Sequence, residues 1–81
     1  MRRIHVEVFP IRHDRWIAVL EAPEGPFSTE ASTAGQVERE VRTAVAEALG
    51  WSEVEVVYRD DLGGPWSPSQ AAEQAMRLLE R

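Results

Sequence analysis

The chain has 81 residues, of which 14 are acidic and 9 basic, giving a net charge of −5 and no cysteine. This length predicts one domain with a thin core, for which dimerisation is a common way to bury more surface. The lack of cysteine excludes disulfides and thiolate metal sites. The acidic balance argues against nucleic-acid binding, since phosphate contacts require a basic face. No stretch approaches the roughly 20 apolar residues of a membrane span, so we expect a cytoplasmic domain over residues 1–81.

Three strands are predicted in the first part of the chain. Residues 3–9 alternate between apolar and mainly polar positions, the pattern of a half-buried strand, and Pro10 is expected to end it. Residues 16–20 are apolar on both faces and predict a central strand. A proline- and glycine-rich turn at 23–26 leads to a short third strand at 27–31.

A helix and a fourth strand follow. Apolar residues recur at three- and four-residue spacing up to Leu49, which predicts an amphipathic helix that stops at Gly50. Thr33 and Gln36 have the spacing of a capping box at its start. Residues 51–59 then predict a strand.

A second helix is predicted at about 67–80. Ser67 and Gln70 have the spacing of a capping box, with Pro68 at the first helical position. Trp66 is expected to pack against this helix. Its predicted apolar stripe consists of Ala72, Ala75, Met76 and Leu79. The order β-β-β-α-β-α predicts an α+β fold, an antiparallel sheet with a helix packed on one face and a core over residues 3–59.

The strands carry more apolar side chains than one core needs. One set of faces supplies that core, yet the opposite faces hold Phe9, Ile17, Val19 and Val57. A solvated sheet face should be polar, and a large exposed apolar patch typically marks an interface. These four residues therefore predict an interface with a partner protein or with another copy, in a homodimer or higher homo-oligomer.

Residues that could support catalysis or metal binding are few and scattered. His5 and His13 lack ligand spacing, and Asp60-Asp61 beside two glycines is typical of a solvated turn. No nucleophile, base and orienting group occur together. We expect a non-enzymatic protein without cofactor or metal, the alternative being a small enzyme or metal protein that uses these four residues.

From Val6 to Leu49 the chain resembles the HicB antitoxin family. The likeness lies in the order of its elements: a strand, a turn, a strand opened by an aromatic residue, a Pro-Gly turn, a short strand and a helix that begins at a threonine. The corresponding segments are Val6-Glu7-Val8, Asp14-Arg15-Trp16-Ile17-Ala18-Val19, Pro23-Glu24-Gly25, Thr33-Ala34-Gly35-Gln36-Val37 and Ala44-Val45.

The resemblance implies a fold and a function. The fold is a degenerate, nuclease-like domain related to double-stranded-RNA-binding domains, and the function is to neutralise a small basic RNA-cleaving toxin of the HicA type. Many family members also bind DNA through a C-terminal region, which the lone helix predicted here does not match. The alternative is a homodimeric scaffold or regulatory module of the same fold without a toxin partner.

Overall fold

The computed structural model describes residues 1–80, which form a four-stranded sheet with two helices on one face. The elements are β1 (Arg2–Arg12), β2 (Arg15–Ala22), β3 (Gly25–Ala31), α1 (Val37–Leu49), β4 (Val54–Arg59) and α2 (Ala71–Leu79). The predicted α+β class and element order are confirmed. None of the helices in this part of the chain is long and apolar enough to cross a membrane.

The sheet has the order β3-β2-β1-β4. β2 lies antiparallel to both β1 and β3, whereas β4 lies parallel to β1 on its other side. The sheet is thus mixed, whereas the sequence pattern predicts a wholly antiparallel sheet. The physical reason is the long connection through α1, because a helical crossover returns the chain to the same end of the sheet and produces parallel pairing.

β1 does not end at Pro10, contrary to the prediction, but continues to Arg12. β4 pairs with β1 only as far as Glu7. The Val8 carbonyl points away from β2, towards α2, and Pro10, two residues further along the strand, has the same orientation. Its missing N–H therefore faces an edge that has no neighbouring strand, where proline is tolerated.

Both helices begin with a turn of 3-10 helix, at Ala34–Gln36 and Pro68–Gln70. Neither predicted capping box forms, because Thr33 and Ser67 make no side-chain capping bond. The main-chain carbonyls of these two residues instead accept from the N–H groups of Gln36 and Gln70, at 3.1 and 3.0 Å. Gly50 ends α1 with a φ of 69°, the left-handed conformation predicted for it.

The core lies between the sheet and the helices. α1 packs over β2 and β3, and α2 packs over β1. The fully buried side chains are Ile4, Val6, Val8, Leu20, Val37, Val41 and Val45. The buried face of α2 differs from the predicted apolar stripe. Met76, which belongs to the predicted stripe, is 60 % exposed, and the buried residues of α2 are Ala71, Gln74 and Ala75.

Two of the three tryptophans complete this core. Trp16 and Trp66 are buried with ring centroids 6.2 Å apart. Trp66 also contacts Tyr58 of β4, at 5.9 Å between centroids. Its Nε1 donates to Gln74 of α2, the helix against which Trp66 was predicted to pack. Trp51 is only half-buried, with the Arg2 guanidinium 4.7 Å from its ring centroid.

Candidate interaction surface

Within residues 1–80, no helix covers the face of the sheet opposite α1 and α2, and we call this face the open face. It consists of Arg3, His5, Glu7, Phe9, Arg12, Arg15, Ile17, Val19, Glu21, Pro26, Ser28, Glu30, Glu55, Val57 and Arg59. All four residues predicted as an interface lie on this face. The period of two in each strand was sufficient to assign them to it.

Three of these residues form a contiguous apolar cluster. Phe9 is the cross-strand partner of Ile17, and Val19 follows two positions along β2 on the same face. Ile17 is only 9 % exposed, and Phe9 and Val19 are half-buried. We call Phe9, Ile17 and Val19 the apolar cluster.

Val57 does not join the apolar cluster. It lies on β4 opposite His5, and β1 separates it from Val19, which is paired with Glu7 on β2. Two polar side chains of β1 therefore stand between Val57 and the cluster. The alternation of residues within each strand could not predict this separation, because it gives the face of each residue but not the order of the strands in the sheet.

One further exposed apolar residue at this end of the sheet was not predicted from the strand pattern. Ile11 lies at the register shift between Pro10 and Arg12 and is 47 % exposed. An extra residue in one strand of an antiparallel pair is typical of a β-bulge, which re-aims neighbouring side chains. Ile11 follows Pro10, which was expected to end the strand, so the alternation did not assign Ile11 to a face of the sheet.

Two ion pairs flank the open face. Glu30, which is paired with Ile17 across β2 and β3, accepts hydrogen bonds from Arg15. At the opposite end the Arg3 Nε donates to Glu55 Oε1 at 2.6 Å. Both pairs are about half exposed, so each contributes little to stability.

Two glutamates of the open face have no such partner. Within residues 1–80, neither Glu7 nor Glu21 has a cationic group within 4 Å. Arg59 is the cross-strand neighbour of Glu7, yet its guanidinium donates to the Gly63 carbonyl at 3.3 Å. These side chains, with His5, border a depression of about 290 Å³.

The acidic excess of the protein lies mostly outside the open face. That face carries four arginines and four glutamates, so these charges balance. The rest of the chain carries five arginines and ten carboxylates, a difference of five negative charges. The open face is thus nearly neutral, and the negative field comes from the helices and loops.

Asp60 and Asp61, the carboxylates considered for catalysis or metal binding, are engaged in structural contacts. Asp60 Oδ1 accepts from the main-chain N–H groups of Leu62 and Gly64, at 2.8 and 2.9 Å. Asp61 accepts two bonds from Arg77, of 2.7 and 2.9 Å. The Arg77 guanidinium holds the pKa of the Asp61 carboxyl well below its usual range.

Gln74 connects this loop to the sheet. Its Oε1 accepts from Trp66 Nε1 at 2.9 Å, and its Nε2 donates to the Val8 carbonyl at 2.8 Å and to Asp61 Oδ1 at 2.9 Å. Gln74 is 4 % exposed, so these bonds are shielded from water. Gln74 lies between Ala71 and Ala75 on the buried face of α2. This spacing could have identified Gln74 as a buried polar residue, but it was not predicted from the sequence.

The two histidines lie in different parts of the fold. His5 is on the open face, and His13 is in the turn between β1 and β2. In the described chain, no three His, Asp or Glu side chains are grouped so that they could hold a metal ion. The groove between α2 and the 60–65 loop, about 320 Å³, is shallow and lined largely by polar side chains.

The comparisons with known proteins identify no relative. No family model, no curated protein and no solved structure matches the chain.

Proposed function

We propose that this chain is a non-catalytic protein-binding domain and that the open face of its sheet is one of its protein interfaces. The observation that carries the proposal is the apolar cluster of Phe9, Ile17 and Val19, located on a sheet face without a covering helix. Apolar contact area between charged rims is the usual composition of a protein interface. The Asp60 and Asp61 side chains, which could have served chemistry, are occupied in holding the 60–65 loop and α2.

The resemblance to HicB antitoxins extends this proposal to a partner. That partner is a small basic RNA-cleaving toxin of the HicA type, which the domain binds and neutralises in the cytoplasm. The excess of carboxylates on the helices and loops supports it, because a negative field attracts a basic protein and accelerates encounter. We expect the toxin to contact this acidic surface, which includes Glu40 and Glu47 of α1, seven residues and thus about two turns apart on one flank of the helix. We expect two copies of the chain to meet at the open face.

Co-purification with a tagged, catalytically inactive toxin of the HicA type tests the partner. We expect the wild-type chain to bind at low salt and to bind less at high salt, as exposed charges are screened. Reversal of two charges on this flank, Glu40→Arg with Glu47→Arg, should abolish capture, whereas Ile17→Asp should retain it. If neither the wild-type chain nor the Ile17→Asp variant captures such a toxin, the antitoxin proposal is wrong.

A second function is a homodimeric scaffold or regulatory module of the same fold without a toxin. The near balance of charge on the open face favours this second function, because a basic partner would gain little electrostatic attraction at that face. A chain that dimerises through the apolar cluster but captures no toxin would support this function over the antitoxin.

A further inference from the structure

Arg12 and Glu7, two charged side chains of the open face, lie on opposite sides of Phe9 along β1. Arg12 lies at the hairpin end of β1, where it pairs with Arg15 of β2, a residue that alternates with Ile17 and so shares its face. Among the described residues, Arg12 has no carboxylate within 4 Å. In the other direction, Glu7 follows Phe9 on the same face of β1, and Glu21 follows Val19 on β2. Along β1 the order is therefore positive, apolar and negative.

We propose that the open face binds a second copy of this chain, with the two sheets stacked face to face and their β1 strands antiparallel. The inference rests on the proposed function, namely that the open face is a protein interface. The apolar clusters then meet at the centre, and Arg12 of each copy lies over Glu7 of the other.

The positions along β1 fit this arrangement. A two-fold axis that crosses the strands at Phe9 has Arg12 three residues to one side and Glu7 two residues to the other. At about 3.3 Å per residue these offsets are roughly 10 and 7 Å, a difference that a long arginine side chain covers. Stacked sheets lie about 10 Å apart with strands nearly aligned, so the two side chains can meet between them.

The opposite orientation fails on charge. With the strands parallel, Arg12 would lie over Arg12 and Glu7 over Glu7, and like charges would face each other at both ends. The antiparallel arrangement makes the same favourable contact twice, as expected for an isologous two-fold interface, which closes at the dimer. The nearly neutral open face also fits a copy of itself better than it fits a strongly basic protein.

Sedimentation equilibrium over a series of micromolar concentrations tests the proposal with matched variants. We expect the wild-type chain to form a dimer and Ile17→Asp to be monomeric. Arg12→Glu and Glu7→Arg should each raise the dissociation constant about tenfold, because each exposed pair occurs twice. The double variant Arg12→Glu with Glu7→Arg should restore the wild-type constant, and Glu47→Arg, an exposed charge reversal on α1, should leave it unchanged.

Far-UV circular dichroism and thermal unfolding of each variant separate loss of association from loss of fold. A wild-type chain that stays monomeric overturns the proposal, even if it captures a toxin. Single charge reversals without effect, or a double variant that fails to recover, overturn the antiparallel arrangement. Dimerisation without toxin capture retains the inference and defeats only the antitoxin role.

Discussion

The side-chain amide of Gln74 donates a 2.8 Å hydrogen bond to the main-chain carbonyl of Val8, at the point where β1 extends beyond the end of β4. A strand edge presents unpaired main-chain groups that can template pairing with other chains. Gln74 satisfies one of these groups from α2 and at the same time accepts from Trp66. The second helix thus protects a free edge of the sheet as well as covering its core.

Replacement of this side chain, Gln74→Ala, should lower the free energy of unfolding by about 2–6 kcal/mol, because two buried groups lose their partners at about 1–3 kcal/mol each. These groups are the Val8 carbonyl and the Trp66 Nε1. Urea unfolding measures the loss. Gln70→Ala, an exposed position before the same helix, is the control and should change stability by less than about 0.5 kcal/mol. Equal losses in the two variants would contradict the role assigned to Gln74.

The contact between Asp61 and Arg77 predicts an acid-dependent contribution to stability. The pKa of Asp61 is lowered in the folded state, mainly by its hydrogen bonds with Arg77. A carboxyl whose folded pKa is depressed stabilises the fold above its unfolded pKa, near 4, and loses that contribution as the pH falls towards the folded value.

Urea unfolding at a series of pH values between about 7 and 2 measures this dependence. We expect Asp61→Asn to be less stable than the wild-type chain at neutral pH and to lose less stability on acidification. Asp14→Asn, an exposed carboxyl in the turn between β1 and β2, should retain the wild-type slope. A slope for Asp61→Asn identical to that of the wild-type chain would exclude the proposed linkage.

Gly25 adopts a φ of 130°, which side-chain-bearing residues rarely adopt, at the start of β3. A Cβ atom there would meet no other atom within 4 Å, so any cost of Gly25→Ala arises from main-chain strain. We expect a loss of about 1–3 kcal/mol in urea unfolding. Gly35→Ala is the control, because that glycine has an ordinary φ and lies in a helical turn. A control loss as large as that of Gly25→Ala would refute the explanation by strain.

Features that depend on local periodicity could be predicted from the sequence. The alternation in β1 and β2 placed Phe9, Ile17 and Val19 on one face, and the spacing of Val37, Val41 and Val45 identified the buried side of α1. Each of these features follows from neighbours along the chain, which share a face whatever the tertiary fold.

Features that depend on distant partners could not be predicted. The extension of β1 past Pro10 requires that β4 stop pairing at Glu7. The burial of Gln74 requires the Val8 carbonyl, 66 positions earlier in the chain. The separation of Val57 from the apolar cluster depends on strand order, which the crossover through α1 establishes.

The hydroxyl of Tyr58 is buried and has no hydrogen-bond partner among residues 1–80. Burial, assisted by Glu38, raises the pKa of Tyr58 to about 12. A tyrosine that stays neutral in the fold but ionises near 10 when unfolded stabilises the fold below pH 10 and loses that contribution as the pH rises towards 12. Because the hydroxyl was desolvated without compensation, its removal should not cost stability.

We therefore expect Tyr58→Phe to raise the free energy of unfolding at neutral pH by about 0.5–1 kcal/mol, the reverse of most core substitutions. The variant should also lose the decline in stability that this tyrosine causes between pH 10 and about 12. Tyr58→Leu is the control, since it removes the hydroxyl together with the ring that contacts Trp66 and should destabilise the fold. Urea unfolding at neutral and alkaline pH distinguishes the two effects. A destabilised Tyr58→Phe variant would mean that the hydroxyl is hydrogen-bonded in solution, for example to a bound water molecule.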